Sequence, residues 1–88
     1  MRVIVSPFAE KRLRKFSKVN QIIVAKKIRG IASAPQGTGS EQLKGYKNIY
    51  RARVGDLRTV YRKSKHELYI ILIGHRRDIY EKLKRLLG

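Results

Sequence analysis

Arginines occur at closely spaced positions on both sides of a turn signal, Gly55-Asp56, in the second half of the sequence. Guanidinium groups bind phosphate oxygens in a fixed bidentate geometry, so a cluster of them predicts a site for a phosphate-bearing polyanion. Histidine is the side chain that changes charge nearest neutral pH, which makes His75, later in the chain, a candidate general acid or base. The arginines are Arg51, Arg53, Arg58 and Arg62.

The turn fixes how the two flanking strands pair. If Gly55-Asp56 forms a two-residue hairpin turn, Val54 lies opposite Leu57 and Arg53 lies opposite Arg58. Side chains alternate between the faces of a sheet, which predicts one core face and one arginine face. The predicted core face comprises Tyr50, Ala52, Val54, Leu57, Thr59 and Tyr61.

The opposition of Arg53 and Arg58 is the most informative part of this register. Like charges placed directly across a strand pair destabilise it by about 0.2–1 kcal/mol. That two arginines are nevertheless paired indicates that an anion lies between their guanidinium groups. The alternative, which the sequence leaves open, is that long arginine stems simply cover a solvent-facing sheet.

Two further candidates follow an apolar run that ends near Gly74. His75 and Arg76 leave the sheet at its end and can face a cleft, where Arg76 would stabilise charge on a phosphate. A lone histidine is more often a structural, hydrogen-bonded residue, and the neighbouring arginines favour the catalytic interpretation of His75. Tyr80, in the first turn of the last helix, could project toward the same cleft, whereas its helical spacing favours a core residue beside Leu83 and Leu87.

The elements that must position these residues are readable from periodicity and from turn residues. The pattern predicts an α+β domain with the order strand, helix, helix, three strands, helix, in which the two helices form a hairpin. The predicted boundaries are a first strand around Val3 and Val5, a helix starting at Ser6-Pro7, a second helix capped by Asn20 and ended by Ala34-Pro35, a connector from Gln36 to Ser40, strands at Ile49–Val54, Leu57–Lys63 and Glu67–Gly74, a surface loop with His66, and a last helix capped by Asp78 with Glu81.

Composition restricts the kind of protein that this is. The 88 residues predict one domain, residues 1–88, and 22 Lys and Arg against 6 Asp and Glu give a net charge of +16, which favours a polyanionic partner, either nucleic acid or an acidic protein. The chain has no cysteine and 2 histidines, so we expect no disulfide, metal or cofactor. We find no signal peptide or membrane span, and expect a cytoplasmic protein.

Three segments together resemble the RelE/ParE superfamily of toxins from type II toxin–antitoxin systems, and are most similar to its RelE branch. They are Leu43-Lys44-Gly45, the hairpin Tyr50-Arg51-Ala52-Arg53-Val54-Gly55-Asp56-Leu57-Arg58-Thr59-Val60-Tyr61, and Ile73-Gly74-His75-Arg76-Arg77-Asp78-Ile79-Tyr80. The resemblance implies a mainly antiparallel four-stranded sheet with the N-terminal helical hairpin packed on it. It also implies an endoribonuclease that enters the ribosomal 30S A site and cuts messenger RNA there, without a metal, by attack of a ribose 2′-hydroxyl on the adjacent phosphate.

The resemblance also implies residue roles and partners. Arg58 and Arg76 correspond to phosphate-stabilising arginines, and Tyr80 to a tyrosine with an activating or stacking role. Because arginine stays protonated where RelE-type relatives often have lysine, proton transfer falls to His75. RNA contacts are expected from Arg51, Arg53, Arg62, Lys44, Lys47 and Arg77. A RelB-like acidic antitoxin is the expected protein partner, with the toxin monomeric when free and hetero-oligomeric in the complex.

Two other functions remain open at this stage. A ParE-like protein would poison DNA gyrase by binding, without RNA chemistry, although such proteins generally lack the set Arg58, Arg76 and Tyr80. A non-catalytic RNA- or ribosome-binding domain would expose aromatic side chains for stacking, whereas Tyr50 and Tyr61 fall on the predicted core face.

Overall fold

A computed structural model of the protein describes residues 1–33 and 40–87. It confirms the predicted α+β class, with one strand more than expected. The elements are β1 (Arg2–Val5), α1 (Pro7–Arg14), α2 (Lys18–Ser33), β2 (Ser40–Gln42), β3 (Ile49–Val54), β4 (Leu57–Lys63), β5 (Glu67–His75) and α3 (Arg76–Leu87).

The strands of the described residues form one sheet in the order β1-β5-β4-β3-β2. β1 pairs with β5 in parallel, and the other neighbours are antiparallel. The prediction of four strands is wrong because β2 joins the edge beside β3, with Glu41 paired to Arg51. Ser40 belongs to this strand and not to the predicted connector, the rest of which lies outside the described residues. Three polar residues carry no alternating apolar pattern, so only pairing reveals β2.

The predicted hairpin register is confirmed at every pair. Val54 lies opposite Leu57 and Arg53 opposite Arg58, and the pairing runs on to Tyr50 opposite Tyr61. A β-bulge interrupts the pairing of β4 with β5 between Val60 and Tyr61. β5 extends one residue beyond its predicted end, because His75 still pairs with Leu57.

Helix starts depend on which polar side chain reaches the free backbone N–H groups. Ser6 caps α1 as predicted, since its Oγ accepts from the Ala9 N–H at 3.0 Å. The predicted Asn20 cap of α2 is wrong, because α2 begins at Lys18 and the Ser17 Oγ accepts from the Asn20 N–H at 3.2 Å. The predicted Asp78 cap is also wrong: α3 follows β5 without a loop, which leaves Asp78 inside the first turn.

Apolar side chains cover both faces of the sheet. On one face, α1 and α2 pack Ala9, Val24, Ile28 and Ile31 onto the strands, together with Leu57 and Ile73. On the other face, α3 packs Ile79 and Leu83 against Ile49, Val60 and Leu72. Burying β5 on both sides explains its continuous apolar sequence. Among the described helices, none has the length and apolar character needed to cross a membrane.

Candidate functional site

Arg51 is the centre of a contact between three elements, β2, β3 and α3. Its Nε and Nη2 donate to the Glu41 Oε2 at 3.2 Å and 2.6 Å. Its Nη1 donates to the Tyr80 hydroxyl, and its Cζ lies 5.6 Å from the centre of the Tyr80 ring. The backbone register places Glu41 directly opposite Arg51, so strand pairing brings the carboxylate to the guanidinium.

The two charged partners keep each other ionised. Hydrogen bonds from Arg51, and then its charge, lower the pKa of the Glu41 carboxyl, and the more distant charge of Arg53 acts in the same direction. The hydrogen bond with Glu41 is the main cause of the raised pKa of Arg51. Glu41 is therefore a carboxylate at neutral pH. Sequence reasoning missed Glu41, because its position opposite Arg51 exists only once β2 has paired.

An open groove of about 320 Å³ runs beside this contact, between the segment after β2 and α3. Arg51, Lys44 and Lys84 supply positive charge along its walls, so the groove suits an anionic chain. It is lined by Gln42, Leu43, Lys44, Tyr46, Arg51, Tyr80, Leu83 and Lys84.

Tyr80 faces this groove and is not part of the core. It is 37% exposed, whereas its neighbour Ile79 is almost fully buried against the sheet. The prediction from helical spacing, that Tyr80 packs as a core residue, is therefore wrong. Ile79 and Leu83 form the buried stripe of α3, which turns Tyr80 toward Arg51.

Arg58 differs from the other arginines of the hairpin. It is 7% exposed, and its Nη1 donates to the carbonyl oxygens of Gly55 at 3.3 Å and Leu57 at 3.1 Å. The prediction of one exposed arginine face is therefore wrong, because α3 covers part of that face around Val60. Arg53 and Arg62 are exposed as predicted, and Arg51 is half-exposed at the groove.

The side chain of His75, at the end of β5, points to the face of the sheet opposite to that of Arg58. It pairs with Leu57, so its side chain shares the face of α1 and α2, while the side chain of Arg58 lies on the α3 face. The His75 ring meets the Phe16 ring edge-on, with centres 6.2 Å apart. The expected cluster of His75 with the hairpin arginines is therefore not formed, because neighbouring positions along a strand point to opposite faces.

The remaining predicted residues belong to different elements of the fold. Arg76 opens α3, and Arg77 follows as an exposed residue. Lys47 is exposed in the segment between β2 and β3, where it lines an open depression together with Lys44. His66 is exposed, as predicted. Within the described ranges, no three His, Asp or Glu side chains converge in the way that a metal site would need.

A stacked pair of tyrosines, Tyr50 and Tyr61, supports the strand that carries Glu41. Tyr50 and Tyr61 stack with ring centres 5.7 Å apart, and Tyr61 is buried, in agreement with the predicted core face. The Tyr61 hydroxyl donates to the Ser40 Oγ at 2.6 Å, and burial raises the pKa of this phenol. This bond fixes β2 at the residue next to Glu41.

The family model for the ParE toxin of type II toxin–antitoxin systems matches residues 3–80 of the sequence, so the chain belongs to that family. No curated protein sequence matches the chain.

Solved structures of other toxins have the same fold. The isolated E. coli RelE toxin superposes with a TM-score of 0.74 at 18% identity, over 99% of this chain and 98% of that chain. RelE in the RelE-RelB complex from Pyrococcus horikoshii gives 0.73 at 21% identity, over 88% and 96%. The YoeB dimer from Staphylococcus aureus gives 0.73 at 21% identity, over 86% and 97%.

Proposed function

We propose that this toxin stops protein synthesis by cutting messenger RNA on the ribosome, in the cytoplasm. The observation that carries the proposal is that Arg51 and Tyr80 line an open basic groove and that Arg51 also binds the carboxylate of Glu41. A carboxylate, a guanidinium and a phenol together can accept a proton, hold a phosphate and donate a proton. The net charge of +16 favours RNA as the occupant of the groove.

The reaction proposed is an internal transfer within the RNA. The ribose 2′-oxygen attacks the adjacent phosphorus, the bond from phosphorus to the 5′-oxygen breaks, and a cyclic phosphate and a 5′-hydroxyl are the products. The 2′-proton must pass to a base, and the departing 5′-oxygen must receive a proton. The extra negative charge that develops on the phosphate in the transition state must be stabilised.

We assign Glu41 as the base that accepts the 2′-proton. Arg51 is assigned to stabilise the negative charge on the phosphate. Glu41 is exposed, and its Oε1 makes no bond to Arg51, so this oxygen can accept the 2′-proton. Arg51 has N–H groups beyond those that it gives to Glu41 and Tyr80, and these can donate to the phosphate oxygens. Exposed Arg53 and Lys44 bind the RNA backbone on either side.

Tyr80 is assigned as proton donor to the 5′-oxygen. Arg51 is the donor in its hydrogen bond with Tyr80, which leaves the phenolic O–H free for a second partner. His75, which the sequence analysis assigns as general acid or base, requires the RNA to pass round the end of the sheet, because His75 faces the opposite side. Arg58 and Arg76 remain proposed phosphate ligands, with Arg58 acting partly through the shape of the hairpin turn that it bonds.

The proposal is tested with purified ribosomes carrying a defined codon in the A site. We expect the wild-type chain to produce a new 5′ end within that codon and a cyclic phosphate on the upstream fragment. Arg51→Ala should abolish cleavage, whereas Lys65→Ala, an exposed cation in the loop between β4 and β5, should cut normally. Intact messenger after incubation with the wild-type chain would end the proposal.

The match to the ParE toxin family favours a second candidate function, inhibition of DNA gyrase by binding. The two functions separate in one comparison. A gyrase inhibitor blocks supercoiling by the purified enzyme and induces DNA-damage signalling, whereas a messenger nuclease stops incorporation of amino acids first. Arg51→Ala further distinguishes them, because loss of the group that stabilises the phosphate should stop cleavage and leave gyrase binding intact.

An acidic antitoxin is the proposed protein partner. Val19, Ile22 and Ile23 form an exposed apolar stripe on α2, 66%, 57% and 45% exposed, at the spacing that an amphipathic helix uses for docking. Lys18 and Lys26 are exposed on the same helix, so an acidic amphipathic segment complements both the stripe and its charge. Ile22→Glu should weaken binding of the acidic partner, and the wild-type affinity should fall as salt rises.

A further inference from the structure

Phe8, in the first turn of α1, is an exposed aromatic residue surrounded by cations. It is 49% exposed. The surface around it is a shallow depression of about 180 Å³, and we call this surface the Phe8 patch; it is lined by Phe8, Lys11, Arg12, Lys15 and Lys82. An aromatic face beside several cations is the combination that binds an unpaired base and its phosphates.

The Phe8 patch lies on the other side of α3 from the groove. Lys82 Nζ is 6.0 Å from the centre of the Phe8 ring, and Asp78 Oδ2 is 3.6 Å from Arg12 Nη2. Residues four apart share a helix face, so Asp78 and Lys82 both face α1. Tyr80, midway between them in sequence, faces away from α1, toward Arg51. A nucleic acid that occupies the groove therefore reaches Phe8 only by crossing α3.

The charge of the Phe8 patch is mostly uncompensated. Arg12 forms an ion pair with Asp78; the Arg12 side chain is 27% exposed and that of Asp78 is 55% exposed. Within residues 1–33 and 40–87, Lys11, Lys15 and Lys82 make no ion pair, and Lys82 contacts the Phe8 ring instead. Three cations thus remain for an anionic ligand.

We propose that the Phe8 patch binds a second, single-stranded segment of RNA, outside the codon that is cut. An unpaired base stacks on Phe8, and the neighbouring phosphates bind Lys11, Lys15 and Lys82. This inference rests on the proposed function, because it adds a second contact to the same RNA-directed reaction.

An acidic protein segment fits the Phe8 patch less well than RNA does. A docking helix needs several apolar anchors at helical spacing. The patch offers Phe8 alone among its lining residues, and the others are cations. The apolar anchors are found on α2 instead, at Val19, Ile22 and Ile23.

The test is a binding titration of a fluorescent single-stranded RNA oligonucleotide with 2′-O-methyl riboses, which cannot be cut by 2′-oxygen attack. The full chain carries Arg51→Ala, so that binding in the groove is weakened. Adding Phe8→Ala should weaken binding by about 5- to 150-fold, the range for one aromatic–base stack. Adding Phe8→Tyr should retain the affinity of the Arg51→Ala parent. Val3→Ala is the matched control, because Val3 is also apolar and 41% exposed, and it lies on β1, outside the patch. Equal affinity of the Phe8→Ala and parent proteins would overturn the inference.

Two further arms identify the RNA and separate this inference from the proposed function. Weaker binding of Phe8→Ala to ribosomes without messenger supports a ribosomal RNA segment. A loss seen only when ribosomes carry an extended messenger supports the messenger flank. A loss of affinity for the acidic antitoxin, with RNA binding unchanged, overturns the inference in favour of a protein. Absence of messenger cleavage by the wild-type chain rejects the proposed function alone, since the oligonucleotide titration requires no cleavage.

Discussion

The Tyr80 hydroxyl accepts a hydrogen bond from Arg51, and this bond joins the C-terminal helix to the middle of strand β3. The same guanidinium lies over the edge of the Tyr80 ring, 5.6 Å from its centre, and holds Glu41 from the other side. Three side chains with different proton affinities are therefore connected through one arginine. Arg51 and Tyr80 line the groove, and the carboxylate of Glu41 is bonded to Arg51. This combination distinguishes a chemical site from a general basic surface.

Tyr80→Phe should separate chemistry from binding. The variant keeps the aromatic ring beside Arg51 but has no hydroxyl to donate a proton. We expect cleavage on the ribosome to slow by about 100-fold, the lower part of the range for general acid catalysis. RNA affinity should stay close to the wild-type value. An equal rate for Tyr80→Phe and wild type, measured by time-resolved mapping of 5′ ends, would remove Tyr80 as the donor.

Glu41→Gln should change binding and cleavage in opposite directions. Removing the carboxylate frees Arg51 for phosphate, so RNA affinity should rise, while the glutamine amide cannot accept the 2′-proton, so cleavage should fall by about 100-fold or more. Glu81 is an exposed residue of α3, and Glu81→Gln makes the same change in net charge, so this variant serves as the control. Parallel behaviour of the two variants would show that Glu41 acts only through net charge.

His75→Ala tests which face of the sheet binds the RNA. His75 faces α1 and α2 and contacts Phe16, whereas Arg51 and Tyr80 contact each other on the α3 side. If proton transfer takes place at the groove, the variant should cut messenger within about threefold of the wild-type rate, far from the effect of losing a general acid. Loss of cleavage in a correctly folded His75→Ala protein would instead assign the proton transfer to His75.

Arg58 and Arg53 form a matched pair for separating stability from binding. They are opposite each other in the register, yet Arg58 is buried and bonded to turn carbonyls while Arg53 is exposed. Arg58→Ala should lower the free energy of unfolding by about 1–3 kcal/mol, because two carbonyl groups lose a charged donor. Arg53→Ala should leave stability within about 0.5 kcal/mol and weaken RNA binding. Urea unfolding and RNA titration of both variants provide the check; similar stabilities for the two would contradict the structural role of Arg58.

We expect the ionisation of Tyr61 to lower the free energy of unfolding at alkaline pH. Its pKa is raised from 10.0 by burial, so the folded state keeps the proton that the unfolded state releases. The contribution is fully present below pH 10.0 and is lost as the pH rises through the higher pKa of the folded protein. Tyr61→Phe should cost about 0.5–1.5 kcal/mol through the lost bond to Ser40, and should flatten the alkaline decline. Unfolding free energies measured from neutral to alkaline pH test this; identical slopes for both proteins would contradict it.

Local patterns in the sequence determined much of this protein. The Gly55-Asp56 turn fixed the register of β3 and β4, because a two-residue hairpin loop allows one pairing, and the apolar run of β5 indicated a strand covered on both faces. The Ser6-Pro7 pair likewise determined the start of α1, since its cap is made within one turn.

Tertiary structure alone decided the site. Glu41 reaches Arg51 because the short strand β2 pairs at the edge of the sheet, and Tyr80 reaches it because Ile79 and Leu83 turn α3 onto Val60. Residue spacing could not reveal either contact, since both join segments far apart in the chain. The same packing buried Arg58, and the alternation of side chains along paired strands directed His75 to the opposite face.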